Sequence, residues 1–309
     1  MRALAGLIVA GPMQAVGVIV LCTMLSFLAP PLTSLLSYVG AAALALYVLQ
    51  VGAIPGLVVM LGSAVVTALF GQLLMHQGGG ILIAAAPVWL PVWLAAAVLR
   101  ATHSLAMAML VMSGLAMLAV LLVYLFFGDP AVWWQQLLQG MVDRLLAMQP
   151  ELDEVSGSLS EFVTQVAPLM TGSLAAGLGF AALACLTLGR WWQSLLLKPG
   201  ALRTEFHALR LNGALSVAGL AIMGLASLKF GVLSGIALQW SLIAMVVFFF
   251  VGLAVLHAVL ANLKARKIWL IVAYVLMSVL PQVLLAVVVA GLLDPWLDLR
   301  RRTAGSAPN

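Results

Sequence analysis

Among the neutral polar side chains within or at the ends of long apolar runs of this sequence are the amides Gln14, Gln50, Gln72, Asn212, Gln239, Asn262 and Gln282. His103 and His257 stand near the ends of such runs. Amides and imidazoles so placed suit one of two tasks. They hydrogen-bond a neighbouring helix, at roughly 0.6–2 kcal/mol each, or they converge on a pocket for a small, mostly neutral ligand. For the second task the candidate ligand-binding set is Gln72, His76, Trp89, Trp93 and Gln239. Trp89 and Trp93 stand four apart, which puts both rings on one helix face. Pro87 and Pro91 beside them each remove a backbone donor and can kink that helix. The stretch reads either as a pocket wall with a stacking face or as a kinked packing helix.

Other chemistry lacks its parts. All nine acidic residues fall in loops or at the ends of apolar runs. A carboxylate at mid-membrane costs about 2.5–3.5 kcal/mol on insertion scales and is kept for proton relay or cation binding. Without one, a carboxylate-driven antiporter and an aspartyl intramembrane protease are both disfavoured. There is no G-x-x-x-x-G-K-[ST] loop, no H-E-x-x-H and no G-x-S-x-G in the chain. Cys22 and Cys185 stand alone inside apolar runs, and the four histidines are scattered. No catalytic residue, metal site or cofactor is therefore assigned. An enzyme would have to assemble its site from distant segments.

The elements that must position these residues are membrane-spanning helices. Of 309 residues, 65% are hydrophobic and 7% charged, against roughly 25% charged in a soluble domain. The lipid bilayer is the first partner. The fold class is an all-α polytopic transmembrane bundle of about nine spans. Residues 1–127 form a five-span block, and 128–165 an acidic amphipathic loop. A four-span block covers 166–293, with a basic segment at 189–213, and 294–309 is a polar tail. Apolar residues recur at helical spacing from Trp134 to Leu146 and again from Leu152 to Val163. They imply two amphipathic helices, as a cap over the bundle or a solvated loop outside it.

Basic residues in short loops stay on the cytoplasmic side. Arg190, Lys198, Arg203 and Arg210 mark the central segment, and Lys264, Arg266 and Lys267 a second knot. Together they imply a bacterial inner-membrane protein with a cytoplasmic N-terminus. Arg300, Arg301 and Arg302 are misfits, since a ninth full span would carry them outside. The alternative is eight spans plus a last run that bends at Pro281 and re-enters. Trp191 and Trp192 with their echo Trp133 and Trp134 suggest interfacial aromatic belts. Net charge is +5, but its clustering beside spans indicates anionic lipid headgroups and no nucleic acid. Gly52/Gly56 and Gly231/Gly235 are G-x-x-x-G pairs that let helices approach closely, within the chain or against other membrane-protein subunits.

Two stretches carry a family resemblance. One holds Arg190-Trp191-Trp192-Gln193, Pro199-Gly200, Glu205-Phe206 and Leu209-Arg210-Leu211, and the other runs from Gly291 to Arg302. In these the chain resembles the YybS-like family of uncharacterised bacterial membrane proteins. That resemblance implies a fold akin to the substrate-binding S components of energy-coupling-factor importers. The expectation is thus a small-solute-binding transporter subunit without its own ATPase, its ligand held beneath the acidic loop. The alternative is a non-transporting scaffold or assembly factor for envelope proteins.

Overall fold

The computed structural model describes residues 1–27, 33–76, 78–149, 151, 155–228, 230–263 and 268–304. Pro30, Pro31, Pro150, Lys229 and the basic knot of Lys264, Arg266 and Lys267 lie outside them. Among the described residues every regular element is a helix. The N-terminal helices are α1 (Arg2–Val9), α2 (Pro12–Ser26), α3 (Leu35–Gln50), α4 (Ala53–Met75), α5 (Gly78–Thr102) and α6 (Leu105–Phe127). Next come α7 (Pro130–Met148), α8 (Ser156–Val166) and α9 (Met170–Leu197), a 3₁₀ turn at Ala167–Leu169 joining the last two. The C-terminal helices are α10 (Ala201–His207), α11 (Gly213–Ser227), α12 (Val232–Asn262), α13 (Ile268–Val279), α14 (Pro281–Leu297) and α15 (Leu299–Ala304).

Helix starts follow local chemistry. Ser104 Oγ accepts from the Met107 N–H (3.2 Å), Asp129 from that of Ala131 (2.9 Å), and Asn212 from that of Ala214 (3.2 Å). Each side chain satisfies one of the donors that a helix start leaves free. Five stretches are long and apolar enough to cross a membrane: α4, α5, α6, the continuous α8–α9 stretch and α12. The apolar helices α2, α3 and α11 are shorter. At 1.5 Å per residue they reach about 22–24 Å, against about 30 Å of hydrocarbon.

The bundle has a basic end and an acidic end. At the basic end Arg100 closes α5 by donating to the Leu49 carbonyl, where α3 stops. Gln193 Nε2 brings the end of α9 to the same carbonyl (3.1 Å) and to Gln50 Oε1 (3.2 Å). This meeting requires a close crossing. A Cβ on Gly189 would lie 2.8 Å from the Ala42 carbonyl oxygen and 2.8 Å from Ala45 Cβ. Glycine is what lets α9 lie against α3, whose residues Gly40 to Leu49 are all buried.

The last apolar run is two helices with a sharp bend between them, not one straight span. Tyr274 on α13 meets His257 on α12 (2.9 Å), near the basic end where α12 stops. The chain then turns by 115° between α13 and α14. Pro281 disfavours helical geometry at Leu280, which is extended (φ −117°, ψ 101°). Gly291 of α14 lies against Gly252 of α12, and about ten residues further along both segments Arg300 lies against Asn262, so α14 runs parallel to α12 and back toward the basic end. There Asn262 Nδ2 donates to the Arg300 carbonyl (2.9 Å). The run thus folds back along α12, which places Arg300 beside the segment that holds His207 and Leu209.

At the other end α7 and α8 form a pair. Gln139 Nε2 donates to Ser160 Oγ (3.2 Å), and Trp134 Nε1 pins α7 to Thr171 Oγ1 (2.9 Å). Their polar faces meet each other, while Trp133, Leu137, Met141 and Leu145 point outward as an exposed stripe. The tryptophan echo is unequal. Trp133 is exposed and Trp191 partly so, but Trp192 is only 2% exposed inside the core. An interfacial ring keeps an edge in the headgroup region. Trp192 has none, and it serves as a core residue.

Candidate functional site

The residues singled out as a ligand set go to three places. Gln72 and His76 are exposed at the corner between α4 and α5, where Gln72 Oε1 accepts from the Gly78 N–H (3.4 Å). His76 there adopts the left-handed conformation (φ 53°) that terminates α4. Trp89 is buried in the main core, and Trp93 Nε1 donates to the Ala53 carbonyl (2.8 Å). Gln239, 1% exposed, accepts from the Gly172 N–H and donates to the Pro168 carbonyl. It satisfies backbone groups where α9 starts, next to a turn that Pro168 interrupts. The polar atoms of Trp93 and Gln239 are thus engaged by backbone.

A larger concavity lies elsewhere, between α9 and α12 and flanked by α10 and α13. Its volume is about 690 Å³, inside the range of about 300–1,000 Å³ for small-molecule sites. Its floor is aromatic. Phe180 stands 5.9 Å from Phe249 and 5.6 Å from Phe250, ring centroid to ring centroid. Ala184, Leu188, Leu195 and Leu253 line the walls. The ionisable groups gather at the basic end, Arg203, His207, His257 and Tyr274, while the hydroxyls of Thr187 and Ser194 on α9 are bonded to the Leu183 and Trp191 carbonyls. His257 packs edge-on to Phe206, their centroids 5.7 Å apart, and lies 6.4 Å from the His207 ring. Burial, then the charges of Arg203 and Arg300, push the His207 imidazolium below its usual pKa. That shift favours the neutral imidazole, in which one ring nitrogen accepts and the other donates.

The neighbouring charges are tied down. Arg190 Nε donates to Glu205 Oε2 (2.9 Å), its Nη2 binds Glu205 Oε1, and its Nη1 reaches Gln193. Arg210 pairs with Asp298 at 2.7 Å. Arg300 and Asp294 form a nearly dry pair at 3.1 Å, with side chains 6% and 2% exposed. Arg300 also donates to the carbonyls of His207 and Leu209. Burial pushes its pKa below the usual guanidinium range, and Asp294 opposes that shift.

A family model described as "Predicted membrane protein (DUF2232)" matches residues 17–295. The chain belongs to the DUF2232 family. No curated protein and no solved structure matches it. The match covers the cavity, the central basic segment and Asp294, so these are features within the DUF2232 region of the chain. In this DUF2232 protein the stretch from Gly291 to Arg302 is a clasp. Asp294, just inside the end of the family match at residue 295, binds Arg300 just beyond it, and Asp298 binds Arg210 across the chain. Sequence reasoning places Arg203 as a topology signal and His257 as a span-end polar group. It does not join them with Phe180, Phe249 and Phe250, because the lining comes from four separate helices. No local spacing marks such a site.

Proposed function

We propose that the protein binds a small solute in the cavity between α9 and α12, as a transporter subunit that relies on other subunits for energy. The observation carrying this reading is the cavity itself, with an aromatic floor and its ionisable groups gathered at one end. Apolar walls with a few convergent polar groups are the usual form of a small-molecule site. The chain has no ATP-binding loop of its own, and its resemblance to the YybS-like family and to S components adds support by analogy. On this reading the protein lies in the bacterial cytoplasmic membrane with its basic end inside. Eight crossings plus the re-entrant α13–α14 hairpin then put α7 and α8 on the outer surface, their exposed apolar stripe in the lipid interface. The ligand sits in the half nearer the basic end, away from that outer pair. A scaffold reading draws less support, because Arg190 and Arg210 are already spent on Glu205 and Asp298.

Native mass spectrometry of the full chain, purified gently in a neutral maltoside detergent, tests the reading. A retained small molecule is expected, and Ala184→Phe, which narrows the slot, should lose it while eluting as a folded protein. A solute added at about 100 times its Kd should stabilise the protein by about 2.7 kcal/mol. A ligand-free sample that no member of a broad vitamin and metabolite panel stabilises would contradict the proposal.

A further inference from the structure

The cavity's shape and its unbalanced charge together narrow the class of solute, an inference that rests on the binding role proposed above. Along α9 its lining runs from Phe180 to Leu195, a length of about 22 Å at 1.5 Å per residue. That makes a slot, suited to an extended chain better than to a flat ring system. Deep in the slot the contacts are carbon, with the paired phenylalanines Phe249 and Phe250 beside Phe180. A ligand must therefore bring an apolar body to recover the contacts that water cannot supply.

The mouth asks for the opposite chemistry. Arg203 is exposed there, and it forms no ion pair with any described residue. Its nearest acidic neighbour in sequence, Glu205, is held by both Nε and Nη2 of Arg190. Among the described residues, no aspartate or glutamate lines the cavity. His207, His257 and Tyr274 stand at the same end, with the His257 ring nitrogen already bonded to the Tyr274 hydroxyl at 2.9 Å. A guanidinium without a counter-charge, at the rim of a long apolar slot, complements an anion attached to a hydrocarbon chain.

We infer that the cavity binds a single-chain amphiphile with an anionic headgroup. The chain lies along α9 against Phe180, Phe249 and Phe250, and the headgroup meets Arg203. A carboxylate or a phosphate monoester supplies the required charge.

The test uses the full chain in nanodiscs of zwitterionic lipid and titrates dodecyl phosphate, dodecanol and inorganic phosphate by calorimetry. Dodecyl phosphate should bind the wild type at least about tenfold more tightly than dodecanol, the worth of one hydrogen bond to a charged group. Arg203→Gln changes an exposed side chain, so the fold should survive, and the preference should fall to about twofold or less. Inorganic phosphate should neither bind nor compete. Equal binding of dodecyl phosphate and dodecanol, unchanged in Arg203→Gln and lost in Ala184→Phe, would overturn the anionic headgroup while keeping the cavity as a site. Competition by inorganic phosphate would overturn the amphiphile and assign Arg203 to a free anion. If neither amphiphile binds while another solute is retained on purification, the class is wrong and the solute-binding role stands.

Discussion

Asp294→Ala should destabilise the protein by about 3–5 kcal/mol, because it leaves the Arg300 charge buried without its partner. Both side chains are almost fully enclosed. The remaining Arg300 contacts are to the carbonyls of His207 and Leu209, which are dipoles and do not neutralise a cation. The loss should appear in thermal unfolding of the detergent-solubilised protein followed by tryptophan fluorescence. It should be accompanied by faster proteolysis near residue 299, since Arg300, once unpaired, no longer holds the tail firmly to the His207 and Leu209 carbonyls. The double variant Asp294→Asn with Arg300→Met tells the ion pair apart from mere packing. Replacing a buried pair by neutral groups of similar volume is often close to neutral. The double variant should therefore be clearly more stable than Asp294→Ala. Equal losses in the two would mean that the charge pairing contributes little.

Gly291→Ala should also be severe, although it adds a single methyl group. A Cβ at that position would lie 2.6 Å from the Gly252 nitrogen and 3.0 Å from the Phe248 carbonyl carbon. At Gly252, a Cβ would lie 2.7 Å from the Val287 carbonyl carbon. Those atoms are backbone, so α14 must move bodily away from α12. Overpacking of a well-filled core costs about 1–3 kcal/mol where side chains absorb it, and a helix displaced along its length belongs at or above the top of that range. Gly177→Ala is the control, since nothing lies within 4 Å of its added carbon. The midpoint of thermal unfolding should fall in Gly291→Ala and hold in Gly177→Ala. Matched midpoints would show that the close α12–α14 crossing is not what seats the re-entrant hairpin.

Much of this architecture is legible in the chain because bulk hydrophobicity and helix punctuation are local. Asn212 caps α11 where the composition changes, and Ser104 caps α6 just after the left-handed His103 (φ 53°). Pro281 marks the bend, but whether the run beyond it crosses or returns depends on partners. Asn262, His207 and Leu209 supply them from segments 38 to 93 residues away. The Trp191–Trp192 pair shows the same limit. Adjacent tryptophans look equivalent in sequence, yet successive helical residues point about 100° apart, and only Trp192 turns into the core. In sequence Gln72, His76 and Gln239 stand out by polarity beside or within apolar runs, and Trp89 and Trp93 by their spacing next to two prolines. For Gln239 that polarity is absorbed by the backbone left open around Pro168 and Gly172. The slot has no such local mark, because phenylalanine in an apolar run is unremarkable until three rings from two helices meet.

Side-specific labelling tests the two-ended arrangement most directly. In a background with Cys22 and Cys185 replaced by serine, single cysteines are introduced at Lys198, Arg301 and Val132, all of them exposed. A membrane-impermeant maleimide is then applied to right-side-out and to inverted vesicles. Cysteines at 198 and 301 should react from the same face, and the one at 132 from the other. Labelling of 198 and 301 from opposite faces would contradict the returning hairpin, and with it the gathering of the basic segment and the tail at one end.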